Sequence, residues 1–568
     1  MEVKAGYRER PWLKFYPAGA PANIDIPDRS LPEVFDEVAG RFADRTALVF
    51  YGNSISYKKL KEETDRFATG MVDLGVRKGD KVALYLLNSP QFIIAYFGVL
   101  KAGATVTPIS PVYTSIEVKH QLEDSEATSI VCQDFLYENV ENSGVPLKSI
   151  VLTSINEYLP LSKKMAGKGI FGRYGGKEGP AGRAREGQGL LQFQKLLKKY
   201  PAHSTGVSIN PREDVAALPY TGGTTGSPKG AILTHYSMLA CQKQVQAFWP
   251  VFEEGREVVP ALLPFYHIYG QVAVMLTGLL MGSTLLLFTT PDLDEVLSTM
   301  ERYRATVFFS VPTAYQFLKD YEKTDRFNWK ALKMLTSGAD TLHESTIQDW
   351  ERRTKAKIIE GYGLTECCAV SHVNPLGRPK TGSFGVPIPN VLAAVINTET
   401  GQFLPYGEIG ELIIAGPNIM KGYWKRPQDT ADALIDIDGI RWLKTGDLVR
   451  MDEEGYFFFY DRKKDMIKYK GYSVFAREIE EVLHQHPLIK AAGVLGVPDP
   501  GVGQLIKAIV VLHAEARGKV SEEEIIKYCA ENLAHYKVPK IVEFRGELPK
   551  TDVGKVSHRE LREELEEA

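Results

Sequence analysis

One glycine-rich stretch, residues 220–235 with the sequence YTGGTTGSPKGAILTH, constrains this chain more than any other. An apolar, strand-like run over residues 215–220 leads into it, and a helix-like run follows from Ala231. Glycine lets backbone N–H groups turn toward a polyanion, while hydroxyl groups and a lysine add donors and charge. The pattern predicts a phosphate-binding loop between a strand and a helix.

The alternative is an ordinary turn with no ligand, because glycine and threonine are common in turns. The string is not a Walker A loop, since Lys229 is followed by Gly230 and not by serine or threonine. The residues expected to contact phosphate are Thr221, Gly222, Gly223, Thr224, Thr225, Gly226 and Lys229.

Composition limits the class of protein. A chain of 568 residues is too long for one compact core and predicts two or more domains. A formal net charge of −3 gives no reason to expect nucleic acid as a partner. The five cysteines form no C-x-x-C pair, which favours a reducing compartment and predicts no zinc site. The N-terminus lacks the apolar segment of a signal peptide, so a cytoplasmic location is expected.

Short apolar strands alternate with helices up to about residue 360, which predicts α/β layers with largely parallel sheets. From about residue 391 short strands separated by glycines predict a smaller β-rich subdomain. Residues 272–288 are apolar but are interrupted by glycine and serine, so a buried helix and strand are favoured over a membrane span. The expected division is a large domain over 1–460, a hinge at 461–465 (DRKKD) and a small α+β domain over 466–568.

The loop 163–189 has a biased composition, with nine glycines, seven basic residues and two acidic ones. Such a segment cannot bury a core and is expected on the surface. A solvated loop is the simpler interpretation, and peripheral contact with an anionic membrane surface is the alternative.

Several further strings carry candidate chemistry. EGYGLTE at 360–366 places an aromatic ring between glycines and adds a hydroxyl and a carboxylate, oxygen ligands that suit Mg²⁺. Taken alone, it would be a turn with a helix cap. WLKTGDL at 442–448 is expected to hold Asp447 on a loop after a strand, LPFYHIYG at 263–270 contains His267, and PKTDVGKV at 549–556 contains Lys555. In isolation these would be a turn aspartate, a structural histidine and a solvated lysine.

These strings occur together from about residue 31 to residue 556, and in this order they resemble the AMP-forming, adenylating superfamily. That superfamily contains acyl-CoA synthetases, peptide-synthetase adenylation domains and beetle luciferases. The resemblance implies adenine stacking on Tyr362, with Gly363 beside it. It implies phosphate contact by Thr365, and Mg²⁺ held by Glu366 and Thr221. It also implies that His267 lies where the phosphate meets the carboxylate.

The resemblance assigns the other candidates to the ribose, the acyl site and the mobile domain. Gly338 and Ala339, in SGAD at 337–340, would border the adenine and acyl pockets. Asp447 and Arg462 would bind ribose, and Lys464 would be the pivot of the hinge. Lys555 would contact the attacking carboxylate and the α-phosphate. Lys468, Gly471 and Tyr472 would form the face used for thioester formation.

The implied reaction has two half-reactions, with ATP, Mg²⁺ and coenzyme A as the cofactors. A carboxylate attacks the α-phosphate of ATP, and the thiol of coenzyme A then attacks the adenylate. Apolar residues after His267 favour a medium- or long-chain fatty acid, although Gln271 stands where some bacterial long-chain enzymes carry a tryptophan gate. An aryl-acid CoA ligase, an enzyme that loads a carrier-protein thiol and a non-catalytic nucleotide-binding protein are the rivals. A homodimer is a candidate assembly.

Overall fold

The computed structural model describes residues 6–160, 190–221, 228–290, 292–340, 342, 344–470, 472–550 and 556–566. The predicted surface loop 163–189 lies outside these ranges, and so do Gly222, Gly223, Thr224, Thr225, Gly226, Gly471 and Lys555. The other predicted site residues lie within them.

A seven-stranded sheet forms the first α/β layer, and its strands are parallel except for one antiparallel edge strand. The helix Pro90–Lys101 is apolar on all sides, so every residue in it is buried, and Ser89 caps its first turn. In spatial order the strands are Leu233–Thr234, Val215–Ala217, Thr105–Pro108, Lys81–Tyr85, Ala127–Gln133, Ser149–Thr153 and Leu190–Gln192. The helices are Tyr57–Asp73, Pro90–Lys101, Ser115–Ser125, Tyr137–Ser143 and Phe193–Lys199.

The second layer contains a four-stranded and a five-stranded sheet. The strands on either side of Gly52 pair antiparallel and form a hairpin. The four strands are Val258–Ala261, Thr284–Leu287, Thr46–Phe50 and Asn53–Ser56, and the five are Val307–Ser310, Met334–Ser337, Ile359–Tyr362, His372–Val373 and Val386–Pro387. The helices are Leu31–Arg41, His235–Phe248, Gly270–Leu276, Thr277–Leu280, Leu293–Tyr303, Pro312–Asp320 and Glu344–Thr354.

A five-stranded antiparallel sheet follows, as predicted for the β-rich subdomain. Its core is continuous with that of both α/β layers. The strands are Leu392–Ile396, Ile409–Ala415, Ile440–Met451, Leu434–Ile437 and Phe457–Arg462, with one helix at Pro427–Ala433.

The last part of the chain has a main core of its own, which begins at Ile467. Its α+β character agrees with the predicted fold class. The strands are Tyr472–Val474, Ile467–Tyr469, Gly503–Leu512, Ile489–Asp499 and Ile541–Phe544, and the helices are Ala476–His484, Glu522–Asn532 and His558–Glu566. Short helical turns elsewhere are Gly6–Glu9, Pro11–Phe15, Asp134–Leu136, Ile155–Tyr158, Thr324–Arg326, Trp329–Ala331, Thr365–Cys367, Ala514–Ala516 and His535–Lys537.

Two local predictions are wrong. The helix after the phosphate loop begins at His235 and not at Ala231, because residues 229–230 pair with residues 220–221 and Thr234 forms the helix cap. Asp447 lies within the strand Ile440–Met451 and not on a loop, because that strand continues through a register shift next to Asp447 and pairs with Phe457–Arg462.

The apolar segment 272–288 is a buried helix, a turn and a buried strand, as expected. Its first part, Gly270–Leu276, is a π-helix, which the apolar pattern did not predict. Among the described residues, no helix has the length and apolar character needed to cross a membrane.

Candidate active site

The phosphate loop is closed at its base by a short antiparallel pair, in which Thr221 lies opposite Lys229 and Tyr220 lies opposite Gly230. The Tyr220 hydroxyl donates to Asp124 Oδ2 at 2.7 Å. Lys229 forms an ion pair with Asp429. Both ends of the loop are therefore fixed by carboxylates from distant parts of the chain.

Tyr362 lies in an aromatic cluster at the end of its strand. Its ring centroid is 4.5 Å from that of Phe384 and 5.8 Å from that of His372. Gly363 follows in a backbone packing that excludes a side chain, because a Cβ atom there would lie 1.9 Å from the Ala369 carbonyl oxygen. The predicted aromatic position and its glycine neighbour are thus fixed by close packing.

Asp447 joins Tyr362 to Arg462. The Tyr362 hydroxyl donates to Asp447 Oδ2 at 2.6 Å, and Arg462 Nε lies 3.0 Å from Asp447 Oδ1. Burial, together with the Asp447 charge, raises the pKa of Tyr362 far above its usual value, and the same charge raises the pKa of Arg462. A hydrogen bond and an ion pair thus join the three predicted nucleotide residues into one unit.

The SGAD loop and the LPFYHIYG motif meet at Tyr269. The Tyr269 hydroxyl is 3.2 Å from Thr336 Oγ1, and a Cβ atom at Gly338 would lie 3.1 Å from the Tyr269 ring. Ala339 has a left-handed backbone with φ of +69°, which few non-glycine residues adopt. His267 accepts a hydrogen bond from the Tyr269 backbone N–H through Nδ1 at 3.3 Å. The predicted adenine-side and acyl-side residues therefore lie next to each other.

The candidate acyl-side wall is the helical segment Gly270–Leu280, which is buried throughout. Two polar side chains, Gln271 and Thr277, interrupt its apolar character, and the Thr277 hydroxyl donates to the Val272 carbonyl oxygen at 2.8 Å. Gln271 is fully buried, and neither amide atom has a hydrogen-bond partner in the part of the chain that the structure describes. Burying an amide without a hydrogen-bond partner carries a free-energy penalty, which sets Gln271 apart from the rest of this segment.

The candidate hinge carries several perturbed charges. Burial raises the pKa of Asp461 to about 7 and lowers the pKa of Lys464 to about 8. Arg562, from the last helix, forms an ion pair with Asp465. Lys468 is exposed, with its backbone N–H donating to Gln504 Oε1 at 2.8 Å, and Tyr472 lies on the strand paired with that of Lys468. Isolated bridge pairing joins Lys550 and Val556 on either side of the segment that contains Lys555.

The AMP-binding enzyme family matches residues 35–424, and the AMP-binding enzyme C-terminal domain matches residues 478–555. This chain belongs to the AMP-binding enzyme family. The first match covers the phosphate loop, the Tyr362 cluster and the acyl-side wall.

Several other members of the family are similar to this chain over nearly its whole length. A long-chain-fatty-acid–CoA ligase from Bacillus subtilis is 37% identical over 564 residues, which is 98% of each chain. The crystal structure of ATP-bound MatB from Rhodopseudomonas palustris has a TM-score of 0.81 at 27% identity and covers 94% of this chain and 99% of its own. A long-chain-fatty-acid–CoA ligase from Archaeoglobus fulgidus has a TM-score of 0.68 at 27% identity, covering 93% and 99%.

The oxygen ligands fit the Mg²⁺ ion that the family resemblance implies. Glu366 is half-buried, and its Oε1 accepts from Tyr423 at 2.7 Å. Mg²⁺ in nucleotide sites commonly takes one or two carboxylates and completes its shell with water and phosphate oxygens. No cluster of three or more acidic, histidine or cysteine ligands is found in the described ranges.

Sequence reasoning missed the partners of the family motifs. Tyr423, Asp429, Asp124 and His372 contact the predicted residues but lie in strings that we did not single out. The string GYWKRPQDT at 422–430 offers the only local signal, a glycine followed by two aromatic residues and a helix-starting proline.

Proposed function

We propose that this protein ligates a medium- or long-chain fatty acid to coenzyme A in an ATP-dependent reaction, through an acyl-adenylate, with release of pyrophosphate and then AMP. The observation that carries the proposal is the buried wall Gly270–Leu280, which contains no charged residue and begins next to the nucleotide loop at Tyr269. An uncharged wall of this kind suits an aliphatic chain. The similarity to long-chain-fatty-acid–CoA ligases over 98% of both chains supports it.

In the adenylation step, Asp447 orients the ribose and Tyr362 supports the adenine. Lys229 and Arg462 place positive charge near the phosphates, and Thr365 adds a hydroxyl donor. Mg²⁺, held by Glu366 with Thr221 nearby, would neutralise charge on the β- and γ-phosphate oxygens when bound. Lys555 would stabilise the charge that develops at the α-phosphate as the carboxylate attacks.

In the second step, the small domain rotates about Lys464, which withdraws Lys555 and presents Lys468, Gly471 and Tyr472 to coenzyme A. The thiol attacks the acyl carbonyl, a C–S bond forms, and AMP leaves. Separating the steps keeps water away from the reactive adenylate. We place the enzyme in the cytoplasm, with the loop 163–189 as a candidate membrane contact and a homodimer as a candidate assembly.

The test is ATP–pyrophosphate exchange with acetate, benzoate, octanoate, palmitate and amino acids, followed by AMP release with coenzyme A. We expect exchange that increases with chain length and turnover with coenzyme A. Exchange with benzoate alone would indicate an aryl-acid ligase, and exchange without coenzyme A turnover would indicate carrier-protein loading. No exchange with any acid would contradict the proposal.

The role of Lys555 has its own test. Lys555→Ala is expected to lose exchange by about 100-fold or more, as when one donor to a developing negative charge is removed. It should still form acyl-CoA from supplied acyl-adenylate. Loss of both half-reactions together would contradict the two-step scheme.

Deletion of residues 163–189 tests the membrane contact. We expect less protein to sediment with anionic phosphatidylserine vesicles, and unchanged sedimentation would exclude that role. Light scattering coupled to size-exclusion chromatography tests the dimer.

A further inference from the structure

A short backbone segment, residues 418–424, ties the Glu366 loop to the phosphate loop, and we call it the strap. At one end, the Met420 N–H donates to the Glu366 carbonyl oxygen at 2.8 Å. At the other end, the Trp424 N–H donates to the Gly230 carbonyl oxygen at 2.8 Å, and the Ile232 N–H donates to the Gly422 carbonyl oxygen at 2.9 Å. The strap therefore fixes the spacing between the two motifs expected to bind the phosphates.

Tyr423 lies in the strap and reaches both motifs with its side chain. Its hydroxyl donates to Glu366 Oε1 at 2.7 Å, and Lys229 Nζ lies 5.6 Å from the centroid of its ring. Its own backbone is fixed, because its N–H donates to Thr430 Oγ1 at 2.9 Å. One side chain thus contacts the proposed metal-binding carboxylate and the proposed phosphate-binding lysine.

The Tyr423 hydroxyl is the donor in this contact, because an ionised carboxylate oxygen can only accept. A donor on Oε1 fixes the rotation of the carboxylate and leaves Oε2 to bind a cation. Ligand carboxylates held by outer partners in this way bind metals more tightly than unsupported ones.

We infer that Tyr423 is a positioning residue that holds Glu366, and beside it Lys229, in the geometry required for ATP with its divalent cation. The inference rests on the proposed function for the roles of Glu366 and Lys229. It goes beyond that function by assigning the preorganisation of the phosphate end to one phenol in the strap. The ring and the hydroxyl of Tyr423 can be tested separately, because the ring faces Lys229 and the hydroxyl donates to Glu366.

Tyr423→Phe removes the hydroxyl and keeps the ring. The test is calorimetric titration of the full-length protein with ATP, with and without Mg²⁺. We expect the Mg²⁺-dependent gain in ATP affinity to fall about tenfold, as for a lost hydrogen bond to a charged group, while Mg²⁺-free affinity changes less than about twofold. Tyr456→Phe is the matched control, because it removes a hydroxyl that donates to the Arg378 carbonyl oxygen instead.

An unchanged Mg²⁺ response in Tyr423→Phe, or equal losses with and without Mg²⁺, would overturn the inference. A second test compares Tyr423→Phe with the double variant that also carries Glu366→Gln, so that a loss of stability in Tyr423→Phe can be separated from an effect on Glu366. Because Tyr423 is argued to act through Glu366, Tyr423→Phe should add less than about twofold on the Glu366→Gln background. Full additivity would also overturn it. Binding is measured without any acid, so failure of the fatty-acid panel would leave this result intact.

Discussion

The proposed nucleotide side and the proposed acyl side of the site are stabilised by different interactions. On the nucleotide side, a hydrogen bond joins Tyr362 to Asp447, and an ion pair joins Asp447 to Arg462. On the acyl side, the wall Gly270–Leu280 is held by apolar burial, and its one buried amide, Gln271, has no partner among the described residues. A charged ligand needs donors fixed in advance, whereas an alkyl chain needs only a shape. We therefore expect substitutions on the two sides to have different effects on substrate binding and on the free energy of unfolding.

The largest effect should follow from Asp447→Ala. It leaves the Tyr362 hydroxyl and Arg462 without their shared partner. The free energy of unfolding should fall by about 2 kcal/mol. The loss is moderate because Arg462 is partly exposed to solvent. Exchange should fall about 100-fold, because a site built to hydrogen-bond its ligand loses that contact. Asp436→Ala, at an exposed position of a neighbouring strand, is the control. Near-normal exchange would mean that Asp447 is structural only.

Two glycine substitutions, Gly363→Ala and Gly270→Ala, compare the two sides directly. A Cβ atom at Gly363 would lie 1.9 Å from the Ala369 carbonyl oxygen, and one at Gly270 would lie 2.1 Å from the Pro264 carbonyl oxygen. Each substitution by alanine should lower the free energy of unfolding by about 2 kcal/mol, because backbone cannot move aside as a side chain can. Gly363→Ala should raise KM for ATP, and Gly270→Ala should raise KM for the acid.

Denaturant titration and steady-state kinetics of the two variants check this pair. Gly377→Ala is the control, since its Cβ atom would meet nothing within 4 Å. An increase of the same KM by both variants would contradict the division into two sides.

The same contrast explains what the sequence could predict. The phosphate loop and the EGYGLTE string were found because each is contiguous and its residue types carry their chemistry locally. Their partners were not, because Tyr423 is 57 residues from Glu366 and Asp429 is 200 residues from Lys229. The prediction of a loop at Asp447 was wrong, because strand pairing with residues 457–462 keeps residues 440–451 in one strand. The π-helix at 270–276 depends on tertiary packing, which no local pattern encodes.

A smaller and opposite effect should follow from Gln271→Leu. Replacing two unpartnered buried polar atoms by a methyl-bearing side chain of similar volume should raise the free energy of unfolding by about 1 kcal/mol. Gln121→Leu is the matched control, because Gln121 is buried but donates to Thr107 and to the Pro108 carbonyl oxygen, so its loss should destabilise. A destabilised Gln271→Leu would mean that the amide has a hydrogen-bond partner in solution.

The smallest effect is a pH dependence of the free energy of unfolding, which arises from two buried histidines. Burial lowers the pKa of His372, in the Tyr362 cluster, to about 3 and the pKa of His235, at the start of the helix His235–Phe248, to about 4. Because both values lie below the unfolded value of about 6.5, the stabilising contribution is complete above that pH and is lost as the pH falls. Each histidine should remove about 1 kcal/mol of the free energy of unfolding between pH 6.5 and 5.5. Urea titrations across this range should show that His372→Phe removes about half of the combined loss from the two histidines. If the free energy of unfolding of His372→Phe changes with pH as steeply as that of the unsubstituted protein, His372 is already protonated in the folded state.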